Sequence, residues 1–171
     1  VTCSTQLCRT NGTINRSSGS ELPNLYLSGT NMVIRNTRDL NIGDELPTFI
    51  RKGTVEHWNR FAAVNDEFAP HHWDYDVARN EGFDAPFAMA PLQMSFFNAL
   101  LRTWMGEQGR IISVSAKLKS PFFKEQTLVV TGRVTELQIL ETETYIDIEL
   151  MQADTDNKTV AIGTAQVALA N

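Results

Sequence analysis

Between Asn65 and Asp74 the chain gathers three carboxylates (Asp66, Glu67, Asp74) and two of its three histidines, His71 and His72, around Pro70. A carboxylate and an imidazole facing one small space can take a proton from water on one side and return it on the other. A loop pinned by proline can hold such a pair in place. Each residue also has a plainer role to weigh. Asp74 opens a helical pattern and reads first as a helix cap. His72 is the general acid–base candidate, against a hydrogen bond that merely orders the loop. His71 reads as a supporting or surface residue, with a catalytic part as the rival. Asp66 and Glu67 are adjacent, so their side chains should diverge: one faces the site, and the other caps a turn or meets solvent. His72-Trp73-Asp74 has the spacing of a facial-triad iron site, but that site needs another histidine. None follows His72, and His57 lies upstream on a predicted helix. No Gly-x-Ser-x-Gly elbow, P-loop or Gly-x-Gly-x-x-Gly loop is present, and no metal site is expected.

The loop lies between two helical patterns. Leu46 to Arg51 reads as a short strand. Thr54 can cap a helix that runs through Trp58, Phe61 and Val64. Asp74 can cap a second, short helix containing Val77 and Ala78, with Gly82 beyond its end. From Leu92 to Met105, Phe96, Phe97, Leu100, Leu101 and Trp104 make a pattern apolar on nearly all sides, which marks a buried helix. After Gly109 the period changes. Ile112, Val114, Ala116 and Leu118 alternate with Ser113, Ser115, Lys117 and Lys119, as in a half-buried strand. Three more strand patterns follow, around 126–138, 143–153 and 158–169, with turn residues Asp154 to Asn157 between the last two. One apolar helix followed by long antiparallel strands is an α+β arrangement in which the sheet wraps and buries the helix.

The 171 residues suffice for one ordinary domain, and 42% are hydrophobic, so a packed core is expected. A net charge of −5 argues against a nucleic-acid partner, and no apolar run reaches membrane-spanning length. Both cysteines, Cys3 and Cys8, lie near the N-terminus, so no disulfide framework staples the core. That fits a cytoplasmic setting. Residues 1–31 are rich in Ser, Thr, Asn and Gly, without sustained periodicity and without the apolar segment of a signal peptide. They read as a disordered N-terminal tail or an added upstream segment, dispensable to the domain. Residues 32–171 read as one domain, with Met32 as a candidate start.

The loop resembles that of the MaoC-like dehydratases, the (R)-specific enoyl-CoA hydratases of the hot-dog fold. Their signature is Asp-x-Asn-Pro-apolar-His-x-Asp, then an alanine helix and a glycine. Pro70, His72, Trp73, Asp74, Ala78, Gly82 and Phe83 fall into it. The likeness continues through Pro86-Phe87-Ala88-Met89-Ala90-Pro91-Leu92, the long helix, and Pro121 to Leu128, covering about residues 38–169. Read without a gap from His72, the family's aspartate position is Glu67. Read from Asp66, the histidine at family spacing is His71. Both registers stay open. Ala69 stands at the asparagine position, Met89-Ala90 replaces a His-Gly pair before the helix, and Glu125-Gln126 replaces a Gly-Asp pair.

The resemblance implies a hot-dog fold, with a long central helix wrapped by an antiparallel sheet. It implies reversible addition of water to a 2-enoyl-CoA, or a related acyl thioester, giving a 3-hydroxyacyl thioester. His72, Glu67, Asp66 and His71 would be the catalytic candidates. Met89, Ala90 and Pro91 would bind the thioester, with the Ala90 N–H aimed at its oxygen from a helix N-terminus. No cofactor is expected beyond the coenzyme A that the substrate carries. A homodimer or higher even oligomer is expected, or pairing with a related hot-dog chain. Two rivals share the fold: an acyl-CoA thioesterase, and a non-catalytic subunit that binds acyl-CoA or completes a partner's site.

Overall fold

A computed structural model describes residues 39–171. The expectations for residues 1–31 and for Met32 lie outside these residues. Along the described chain run β1 (Phe49–Lys52), α1 (Val55–Asn65), a 3-10 turn (Pro70–His72), α2 (Tyr75–Asn80), α3 (Ala90–Met105), β2 (Gly109–Leu118), β3 (Thr127–Ile139), β4 (Glu143–Asp154) and β5 (Thr159–Ala170). The strands form one sheet in the order β1-β3-β4-β5-β2, with every neighbouring pair antiparallel.

The sheet curls around α3, and the core sits between them. Val130, Val134, Ile146, Ile148, Leu150, Val167 and Leu169 point inward against Phe97, Leu100, Leu101 and Trp104. Burying each such side chain contributes on the order of 1.5–3 kcal/mol. Gly163 on β5 lies close beneath the helix. A Cβ there would stand 2.5 Å from the Ser115 carbonyl oxygen and 3.2 Å from Phe97 Cε2. The wrapping explains why α3 is apolar over most of its circumference. Its open stripe, Ala90, Met94, Asn98 and Arg102, recurs every fourth residue.

Two local expectations need correction. The strand expected from Leu46 begins regular pairing only at Phe49. Leu46 is buried and its N–H donates to Gly132, but Pro47 has no N–H to continue the ladder. In β2 the register shifts between Ile111 and Ser113. The bulge turns Ile111 toward the core and leaves Ile112 43% exposed, so the inward set is Ile111, Val114, Ala116 and Leu118. Among the described residues no helix is long and apolar enough to cross a membrane.

Candidate active site

α1 begins where Thr54 accepts the His57 N–H, and it ends at Asp66, whose left-handed backbone (φ 53°) closes the helix through its own N–H to Ala62. Asp66 is therefore an exposed C-cap, and the chain reverses so that Glu67 enters the next loop. Pro70 opens a single 3-10 turn, held by Trp73 N–H to the Pro70 carbonyl at 3.0 Å and Asp74 N–H to the same oxygen at 2.8 Å. Asp74 then caps α2, with Oδ1 accepting the Asp76 and Val77 N–H groups at 2.8 and 3.1 Å.

This folding separates the two histidines. His72 is only 4% exposed. The rings of His71 and Phe87 close over it, edge to face. Its Nδ1 lies 2.7 Å from the Phe87 carbonyl oxygen. A carbonyl only accepts, so Nδ1 carries the hydrogen and Nε2 keeps its lone pair. Nε2 faces Glu67 Oε1 at 3.8 Å. That is too long for a direct hydrogen bond, and short enough for one oxygen atom to touch both groups. Burial drives the His72 pKa below the ordinary 6.5, because an imidazolium there loses its hydration. The Phe87 carbonyl and the Glu67 and Glu81 carboxylates oppose this, His71 adds to it, and desolvation prevails.

His71 faces elsewhere. Its Nδ1 meets Glu81 Oε2 at 2.9 Å, and its ring stacks on Phe87 at 5.0 Å with the planes 6° apart. The structure thus brings Glu67 and His72 together and leaves Asp66 and His71 out of that pair.

Phe87 is the residue that sequence reasoning left without a role. Its carbonyl sets the His72 tautomer, and its ring supports His71. It stood inside the quoted Pro86–Leu92 stretch, yet no residue type signals a backbone acceptor. Glu81, ten positions from its partner, gave no signal either.

Three residues beyond Phe87, α3 starts with Met89 as an N-cap that offers no side-chain hydrogen bond. Ala90 is exposed and Pro91 follows it in the first turn. First-turn N–H groups have no acceptor within their helix, so the Ala90 N–H is a donor at the positive end of a 16-residue helix. Met89 itself is fully buried in the core cluster. Near the carboxylate–imidazole pair along the chain, Phe68, Trp73 and Tyr75 are 57%, 37% and 39% exposed, with the Phe68 and Trp73 rings edge to face. A separate cleft of about 750 Å³ lies on the sheet face away from α3, lined by Arg133, Glu149, Met151 and Ile162 among others. It includes neither Glu67 nor His72.

No family model matches the chain, and no curated protein matches it by sequence. Solved structures do match. An (R)-hydratase from A. caviae involved in PHA biosynthesis superposes with a TM-score of 0.70 at 22% identity, over 77% of this chain and 98% of that one. The MaoC-like dehydratase from Rhodospirillum rubrum gives 0.67 at 18% identity, over 79% and 96%. The ChsH1-ChsH2 complex from Mycobacterium tuberculosis gives 0.66 at 19% identity, over 75% and 98%. The fold of this chain is thus that of the (R)-hydratases and MaoC-like dehydratases, the hot-dog fold.

Proposed function

We propose that this protein is a hydratase/dehydratase that adds water reversibly to a 2-enoyl-CoA, or a related acyl thioester, to give the 3-hydroxyacyl thioester. The observation that carries the reading is the buried His72 Nε2 lone pair 3.8 Å from the Glu67 carboxylate. A water between them gives one hydrogen to Nε2 and the other to Oε1. As its oxygen bonds to C3, the C2–C3 π pair moves through C2 onto the thioester oxygen, and His72 takes the proton. The Ala90 N–H at the α3 N-terminus stabilises that developing charge. The imidazolium then returns the proton to C2, leaving the 3-hydroxyacyl thioester and a neutral His72. Glu67 orients the water and stabilises the transient imidazolium. Asp66, an exposed helix cap, and His71, held by Glu81, have no part in proton transfer. Pro91 shapes the helix start, Met89 anchors it in the core, and the resident chemistry needs no cofactor.

The working unit is a pair of hot-dog chains, two copies or this chain with a relative. The exposed Phe68, Trp73 and Tyr75, the open stripe of α3 and the outer edge of β2, unpaired among the described residues, are surfaces that a second chain would cover. Light scattering should give about twice the chain mass or a larger even multiple. A fully active monomer would overturn the pairing. The proposed compartment is the cytoplasm, as residues 9–171 contain no cysteine for a disulfide.

One assay separates the rivals on the same fold. Short, branched and bulky enoyl-CoA esters are followed both for loss of enoyl absorbance and for release of free thiol. Loss of absorbance without thiol is the expected result. Thiol release would make the protein a thioesterase. Binding with neither signal would make it a non-catalytic subunit.

A further inference from the structure

The His72 tautomer depends on where one carbonyl points, and that carbonyl is placed from outside the site. Phe87 and Phe123 form an isolated antiparallel bridge. On either side of it Ala88 N–H donates to the Phe122 carbonyl at 2.8 Å, and Lys124 N–H donates to the Pro86 carbonyl at 3.0 Å. In such a bridge the opposed residues turn their own N–H and C=O away from each other. The Phe87 carbonyl is therefore directed at His72, and the Phe123 N–H is directed the opposite way. There it meets Gln126 Oε1 at 3.1 Å. The backbone N–H of Gln126 in turn donates to the Phe123 carbonyl at 3.2 Å.

The other end of the Gln126 amide meets Asp154 Oδ2 at 3.2 Å. Asp154 is 8% exposed, and its Oδ1 accepts the Asp156 and Lys158 N–H groups at 3.0 and 2.9 Å. A backbone N–H can only donate and a carboxylate can only accept, so the amide has one satisfying orientation between them. The Gly53 N–H donates to the Gln126 carbonyl and the Glu125 N–H donates to the Gly53 carbonyl, both at 2.8 Å, and these bonds tie the same loop to the end of β1.

We infer that Gln126 is a positioning residue for His72: its side-chain amide locks the Phe123 strand to the β4–β5 turn, and that strand aims the Phe87 carbonyl at Nδ1. The inference rests on the hydratase reading only for its kinetic arm.

Two variants test it without the need to remove a catalytic group. Gln126→Met keeps the length and volume and deletes both amide bonds. Asp154→Asn keeps the turn, because its Oδ1 still accepts the two N–H groups. Its new NH2, however, faces the Gln126 NH2. Turning the Gln126 amide to relieve that clash sets its NH2 against the Phe123 N–H, which loses its acceptor. The readout is the ring 15N spectrum of His72, which distinguishes a protonated from an unprotonated nitrogen at Nδ1 and Nε2. The native protein above the His72 pKa should show Nδ1–H. Both folded variants should show a raised share of Nε2–H. Their kcat should fall by up to about 10²-fold, as for a reacting group misplaced by about 1 Å, with KM little changed. If Gln126→Met does not fold, Asp154→Asn decides. A folded variant with the native tautomer overturns the inference. So does a shifted tautomer with native kcat in an active enzyme. An inactive native protein with the tautomer shift intact in the variants would sink the hydratase reading and leave the positioning role standing.

Discussion

Two carboxylate–imidazole pairs stand side by side against one phenylalanine, and they differ in nearly everything that decides chemistry. His72 is buried, gives its Nδ1 hydrogen to the Phe87 carbonyl and presents a free Nε2 to Glu67 across 3.8 Å. His71, the preceding residue, has a side chain 26% exposed and spends its Nδ1 on Glu81 at 2.9 Å, whose side chain is 45% exposed. The closer pair is the less suited to catalysis. Its two groups satisfy each other, and water screens them. The wider pair leaves the lone pair of a buried imidazole unspent beside a carboxylate that is 35% exposed, and the buried nitrogen interacts more strongly with whatever enters. Proximity of a histidine and a carboxylate is thus a poor guide here. The state of the second ring nitrogen and the burial of the imidazole are better ones.

The sharpest way to break this comparison is to exchange the roles of the two histidines. Replacing His72 by glutamine, which roughly keeps the volume of a buried side chain, should lower hydration by about 10²–10⁴-fold. His71→Gln should leave it within a few-fold. Near-native turnover in the His72 variant, or collapse in the His71 variant, would reverse the assignment.

The carboxylates give a second contrast. Glu67→Gln should cost on the order of 10²-fold in kcat. Asp66→Asn should change it by less than about twofold, because Asn tolerates the left-handed backbone at this exposed cap. Equal losses in the two variants would mean that the loop rearranges when substrate binds.

The pH dependence separates the pairs without mutation. The folded His72 pKa lies below the unfolded-chain value of 6.5, so the unfolded chain binds this proton first as pH falls. The stability that neutral His72 contributes is complete above about 6.5 and is lost progressively as pH drops from there to the lowered folded value. Hydration should lose its neutral base over the acid side of the same range. Glutamine at position 72 should flatten both effects, and glutamine at 71 should not. A melting temperature for the native chain that rises as pH falls through this window would contradict the sign.

The smallest effects belong to residues that only hold the turn. Asp74→Ala removes an N-cap with two N–H partners and should cost about 1 kcal/mol in denaturant unfolding, with activity largely kept. Glu81→Gln breaks the outer pair and should cost no more than about 1 kcal/mol. A larger loss from Glu81 than from Asp74 would show that the outer pair steadies the inner one.

Most of the framework could be read from residue patterns. Thr54 and Asp74 are caps as expected, because a short polar side chain before an apolar period has one good use. The greasy run of α3 and the alternation along β3 and β4 follow from the face each residue must bury. The β2 bulge escaped because one extra residue shifts the inward set without changing composition. Within the site, residue types narrowed the chemistry to two histidines and two carboxylates and went no further, since Asp66–His71 and Glu67–His72 have the same spacing.

What the amino-acid order determined by itself is therefore the inventory and its local geometry: a proline-pinned turn, capped helices on both sides, and an apolar helix for a sheet to wrap. Which pair faces the core was decided only in three dimensions. The left-handed cap at Asp66 turns that carboxylate to solvent, and the strand bridge at Phe87 brings a carbonyl from fifteen residues away onto His72. Hydration and hydrogen-bond direction are properties of the surroundings of a side chain, and for this site those surroundings are assembled from stretches far apart in the chain.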